Sequence, residues 1–205
     1  MSQSATGLLK QLQDHRFRLF TTSDVMTLTG MKPPAATQAL RRLAAQGLLS
    51  PIKRGLWANR MIQDLDPMET ISHLTAPWPS YVSLYSALSL HRIIEEVPQA
   101  IYAVSAARAR RYHTPIGDYR IHHLPQRLIW GFQIEHHGRA SFPMADPEKA
   151  FLDLAYLGLI PRSPLGMPYQ RDKRWKLDFR KLAAYAKRFR FPPLLNYLKT
   201  LAQTA

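Results

Sequence analysis

Thr37, Gln38, Arg41 and Arg42 lie within six consecutive positions and combine the side chains that address double-stranded DNA. A hydroxyl and an amide can bond to base edges, while guanidinium groups pair with phosphate or, for Arg41, with a guanine. Lys32 adds a cation just upstream. A second basic pair, Lys53 and Arg54, sits in Ile52-Lys53-Arg54-Gly55-Leu56-Trp57, where apolar and basic residues alternate around a glycine. That pattern is expected of a short hairpin laid beside a phosphate backbone.

Side chains of this kind work only if regular elements hold them. Ala36, Leu40 and Leu43 recur at three- and four-residue spacing, which predicts a helix with one buried stripe and the polar set on its remaining surface. Pro33 or Pro34 suits its first turn and Gly47 its stop. Before it, Thr22 or Ser23 can cap a shorter helix buried through Val25, Met26 and Leu28, with Gly30 in the turn between the two. Short helix, turn, second helix and basic hairpin, in that order, describe a winged helix-turn-helix whose second helix suits a major groove. The competing reading of such a unit is a dimerisation or scaffold module in which Arg41 and Arg42 are a solvated face.

Composition points the same way as the motif. The 205 residues carry a formal net charge of +14, and basic surface gains affinity for DNA by releasing condensed counterions. Residues 1–60 hold nine basic residues against two acids, which is half of that net charge in under a third of the length. The remainder is basic too, notably at Arg108, Arg110 and Arg111 and at Arg171, Lys173, Arg174 and Lys176, so further nucleic-acid contacts are expected there. Around Trp175 the last four either form a phosphate surface with a stacking ring or are a solvated loop whose Trp plugs the core. A hydrophobic content of 46% supports a folded core, no apolar run is long enough for a membrane helix, and the first residues do not read as a secretory signal. With no cysteine there is neither a disulfide nor cysteine-ligated zinc, which fits a cytoplasmic protein.

Signs of catalysis are sparse. There is no Gly-rich phosphate loop, no Gly-x-Ser-x-Gly elbow and no His-Glu-x-x-His pair. The neighbours His122-His123 and His136-His137 fall on predicted strands, where adjacent residues face opposite sides, so neither pair suits one metal ion. Glu148, Lys149 and Asp153 resemble the carboxylate and lysine set of a magnesium-dependent nuclease. They nevertheless fall on a predicted helix, where Asp146 caps, Glu148 favours the first turn and Lys149 pairs with Asp153 at i, i+4. Ser83, Ser86 and His91 read as close packing and a helix end. No catalytic residue, metal or cofactor is therefore assigned.

Beyond the reader, a helix is expected at residues 6–14 and a short one at 68–74. Helical spacing is expected at 81–91, strands at 101–105, 117–124 and 130–136, a basic loop at 106–115 and a helix from 146 to 158. A Pro-rich loop at 159–176 precedes two closing helices, 178–190 and 192–201. The fold class is α+β: an N-terminal winged helix-turn-helix at 1–60, a connector at 61–67, and at 68–205 a mixed α+β domain with a small sheet and C-terminal helices.

Three stretches, Leu48 to Ala58, Tyr81 to His91 and Ala145 to Asp153, give the chain a resemblance to the AbiEi family of antitoxin-type transcriptional regulators. Their order spans residues 15–160, and the last stretch is similar to the family's helical Pro-Glu-Lys-Ala motif. The resemblance implies a winged helix that represses its own operon by binding promoter repeats. It also implies a C-terminal domain that counters a nucleotidyltransferase-type toxin of a type IV toxin–antitoxin system without a stable complex. A regulator whose second domain senses a small ligand or protein partner is the alternative, and a nuclease using Glu148 and Asp153 a third. The oligomeric state stays open.

Overall fold

A computed structural model describes residues 5–62, 64–168 and 175–204. The chain opens with helix α1 (Ala5–Asp14), short strand β1 (Leu19–Thr21), helix α2 (Thr22–Thr29) and helix α3 (Pro33–Ala45). Strands β2 (Leu49–Lys53) and β3 (Leu56–Asn59) then form the hairpin, and β3 also pairs antiparallel with β1 in a three-stranded sheet. This is the expected winged helix-turn-helix, with one strand the sequence reading did not contain. Leu8, Leu12, Phe20, Val25, Ala36, Leu40, Leu43, Leu49 and Trp57 form its core.

The strand relocates the cap of α2. Thr21, not Thr22 or Ser23, takes the cap: its hydroxyl accepts from the Asp24 N–H at 3.1 Å, and the Asp24 carboxylate accepts from the Thr21 N–H at 2.6 Å. The extended backbone that ends β1 is the conformation a cap residue needs, so strand end and helix start share one residue. Gly30 closes α2 at φ +69°, a left-handed conformation in which a side chain is strained, and its N–H donates to the Met26 carbonyl.

The second part begins with a single 3-10 turn at Pro67–Glu69 and helix α4 (Thr70–Thr75). Strand β4 (Ser80–Val82) runs into helix α5 (Leu84–Leu90), followed by β5 (Ile101–Ser105), β6 (Arg110–Thr114), β7 (Gly117–His123), β8 (Phe132–His137) and β9 (Ala140–Ala145). Helices α6 (Pro147–Gly158), α7 (Phe179–Phe189) and α8 (Pro192–Thr204) complete the chain. The sheet order is β6-β7-β5-β4-β9-β8, with parallel pairing at β7/β5 and β4/β9 and antiparallel pairing elsewhere. The class is α+β as expected, but the sheet has six strands rather than three: residues 110–114 of the expected basic loop form an edge strand, and β4 and β9 fill the middle.

The two parts share buried surface. Leu19, Ile52, Leu56 and Ala58 of the reader are buried in one cluster with Ile71, Leu74, Tyr81 and the core of the second sheet. Arg18, just before β1, clamps the junction: its guanidinium donates twice to the Glu69 carboxylate, at 2.7 and 2.8 Å, and once to the Asp64 carboxylate at 3.0 Å.

Candidate nucleic-acid interface

Helix α3 starts at Pro33, directly after Lys32 at the cap position, so no backbone donor is lost in the first turn. Its stripe Ala36, Leu40 and Leu43 is buried, which leaves Gln38, Arg41 and Arg42 exposed and Thr37 half-buried. The hairpin turns at Gly55, where φ is +79°, and presents Arg54 to solvent. Between α3 and the hairpin lies a groove of about 560 Å³ whose lining includes Thr37, Arg41, Lys53 and Arg54. Trp57 completes its wall, held by an indole N–H that donates to the Thr22 hydroxyl at 3.1 Å. Four of the expected residues thus meet in one groove, while Lys32, Gln38 and Arg42 lie on the exposed surface outside its lining.

Lys53 is tied more closely to the second part than a free wing residue would be. Its ammonium donates to the Leu74 carbonyl at 2.9 Å and also lines a cleft of about 350 Å³ with Arg108, Arg110 and Trp78. Burial, and then the charge of Arg110, push the Lys53 pKa below its ordinary value. Two cations therefore approach each other with no acid between them, an arrangement that an anion would relieve. Among the described residues, none of Lys32, Arg41, Arg42, Lys53, Arg54, Arg108, Arg110 and Arg111 takes part in an ion pair. The carboxylates that do pair are engaged elsewhere, at the Arg18 clamp, on α6 and at two histidines.

Trp78 was not among the sequence candidates. It is 53% exposed and lines the cleft beside Arg108 and Arg110, an unusual position for a large apolar ring. The signal available was Ala76-Pro77-Trp78-Pro79, where flanking prolines keep the ring out of a helix. Of the later basic cluster, Arg171, Lys173 and Arg174 lie outside the described residues. Lys176 is exposed, and Trp175 is buried edge-on against Phe151 at 4.8 Å, which is the core-plug reading of that ring.

The nuclease-like trio sits inside the protein. Lys149 and Asp153 are fully buried and bonded to each other, and the lysine also donates to the Tyr81 hydroxyl at 2.6 Å. Tyr81 and Ser83 donate to the other carboxylate oxygen at 3.0 and 2.9 Å. Burial pushes the lysine pKa down and the aspartate pKa up, while their mutual contact opposes both shifts. Glu148 turns away from them and accepts from the Asp178 N–H and the Lys181 ammonium, at 3.0 and 2.8 Å. These residues bolt α6 to β4 and α7. The Ser83, Ser86 and His91 set is likewise dispersed: Ser86 accepts from the Tyr102 N–H, and the His91 ring contacts the Ala145 carbonyl at the end of β9, while its backbone N–H donates to the Ala87 carbonyl of its own helix. Among the described residues no three His, Asp or Glu gather as a metal site, and no helix is long and apolar enough to cross a membrane.

Comparison with known proteins bears on the first of the two parts. No curated protein matches the chain. Residues 8–60, which run from α1 to the end of the hairpin, match the model of a family described as transcriptional regulator, AbiEi antitoxin. The match covers the winged helix-turn-helix that carries the α3 groove and leaves residues 61–205 outside it.

Proposed function

We propose that the chain is a sequence-specific DNA-binding repressor, acting in the cytoplasm as the antitoxin of a type IV toxin–antitoxin operon and repressing that operon through promoter repeats. The observation that supports this best is the groove between α3 and the hairpin, where Thr37, Arg41, Lys53 and Arg54 converge without any acidic partner. α3 enters the major groove, Gln38 and Thr37 reach base edges, and Arg41, Arg42, Lys32 and Arg54 hold phosphate. Lys53 carries the basic surface across to Arg108 and Arg110, so the second part adds phosphate contacts, with Arg111 at its far side. In this division of labour residues 1–60 read DNA, 61–67 connect, and 68–205 counter a nucleotidyltransferase-type toxin without a lasting complex. Selection of bound duplexes from a random pool tests the proposal: a recovered motif, with half-site spacing set by the protein's symmetry, is the expected result, and a pool that never enriches would sink it.

A second reading has its own observation. The outer face of the sheet carries a pocket of about 580 Å³, away from the α3 groove, which favours a regulator whose second part senses a small ligand.

A further inference from the structure

The register of three neighbouring strands places unlike side chains in one row. Arg111 of β6 lies opposite Arg120 of β7, and Arg120 lies opposite Tyr102 of β5. Residues directly opposite in adjacent strands share a face at about 4.8 Å strand spacing, so two guanidinium groups and a phenol line one side of the sheet. Arg120 donates to the Tyr102 hydroxyl at 3.1 Å, with its guanidinium carbon 5.5 Å from the ring centre. His122, two residues along on the same face, stacks nearly parallel on Tyr102 at 6.0 Å, and Tyr85 of α5 meets Tyr102 edge-on at 4.9 Å.

A loop closes this platform on one side. The Tyr85 hydroxyl donates to the Gly166 carbonyl at 2.6 Å and accepts from the Gly166 N–H at 3.1 Å, which holds Pro164 and Leu165 at the pocket as an apolar wall. Charge on the other side is unbalanced. Among the described residues Arg110, Arg111 and Arg120 have no ion pair, and Asp118 on the same strand is taken by His113. Burial, and then Arg111 and Arg120, hold the His122 pKa below its ordinary value, so the imidazole is neutral at neutral pH and offers a ring and one donor and one acceptor. The cavity, about 580 Å³, lies within the range that takes small ligands.

We infer that this pocket binds a nucleotide, its planar base held between the Tyr102–His122 platform and the Pro164–Leu165 wall and its phosphate on Arg111 and Arg120. The inference rests on the ligand-sensing reading above and gives its ligand a chemical class. Arg110 lines both this pocket and the cleft beside Lys53, so a bound phosphate lowers the positive potential on the surface proposed for DNA. Nucleotide and DNA therefore oppose each other, and by linkage each weakens the other by the same factor.

Calorimetric titration of the full chain with AMP, adenosine and inorganic phosphate separates base from phosphate. AMP is expected to bind at least about tenfold more tightly than either fragment, and Arg120→Ala, a change at an exposed residue outside the proposed DNA contacts, to lower AMP affinity about tenfold or more. Saturating AMP is expected to weaken duplex binding by about 5-fold or more in the native chain and not in Arg120→Ala, whose duplex affinity without AMP stays within about twofold of native. AMP binding no tighter than phosphate, or binding that Arg120→Ala leaves unchanged, would overturn the pocket. AMP binding as expected with duplex affinity unmoved would uphold the pocket and overturn the sensing role, leaving the DNA-reading proposal untouched.

Discussion

At the scale of single residues, Gln38 and Glu148 set a proposed use of a polar side chain beside an observed one. Gln38 is exposed on α3 with no side-chain hydrogen bond described for it, which leaves its amide free for a base edge. Replacing it by alanine should cost about 1–3 kcal/mol on the selected duplex and little on random DNA, by fluorescence anisotropy. Equal losses on both would show that it reads no base. Glu148 instead serves the fold. Burial alone would raise its pKa, but hydrogen bonds from Lys181 and the Asp178 N–H outweigh that and hold it below the ordinary 4.5. A depressed carboxylate contributes stability that is fully present above its unfolded value and is lost as pH falls through the folded one. Glu148→Gln should therefore unfold at lower urea than the native protein at about pH 7, with the gap narrowing as pH falls below the ordinary 4.5. A gap of constant size across that range would mean the carboxylate charge is not what stabilises the site. The sequence marked the place of each in outline, since Glu148 follows a capping Asp146 and Gln38 lies off the Leu40 stripe. It did not expose Arg120 or Tyr102, because their meeting depends on the register between β5 and β7, which no local pattern encodes.

Elements were legible where their signals were local. α6 and α7 announce themselves through Asp146-Pro147 and Asp178, and both aspartates do cap, accepting from backbone N–H groups of the first turn. The strands that escaped notice share a physical reason: each lacks a clean alternation. β1 and β4 have three residues each, too few to show a period, and β4 is buried throughout. β6 is Arg110-Arg111-Tyr112-His113-Thr114, which reads as a basic loop yet forms a charged sheet edge, a pattern that also discourages edge-to-edge pairing. β9 contains Pro143, which argues against an interior strand, but β9 meets β4 through a single registered pair, Val82 with Met144, so little of the ladder depends on it. The hairpin β2–β3 is legible as a wing and, through Leu56 and Trp57, as too apolar for a free one: Leu56 docks on the second core, whereas Trp57 packs in the reader's own. Its two cations are predicted to differ: Arg54→Ala should reduce the salt slope of duplex binding by about one unit without altering Tm, whereas Lys53→Ala should also lower Tm, because its ammonium bonds to the Leu74 carbonyl. An unchanged slope for Arg54→Ala would place the wing off the DNA.

Over the whole molecule, the reader and the second part are joined by burial as well as by a connector. Leu19, Ile52, Leu56 and Ala58 are covered by the second core, and Arg18 is bidentate on Glu69, so cutting the chain near residue 66 uncovers apolar surface in a module already close to the lower size limit for an independent core. A fragment of residues 1–66 is predicted to melt lower than the full chain and to bind the selected duplex more weakly, with a shallower salt slope from the missing Arg108 and Arg110. A fragment that keeps full affinity and the full slope would show that the second part makes no contact with DNA. The central claim is that α3 and the wing read a DNA sequence, and affinity of the full chain for its selected duplex against a scrambled one, measured across salt, tests it most directly. The account predicts discrimination of at least about 10³-fold near physiological salt, with both affinities falling as salt rises. Equal affinity for the two duplexes at every salt concentration would contradict it.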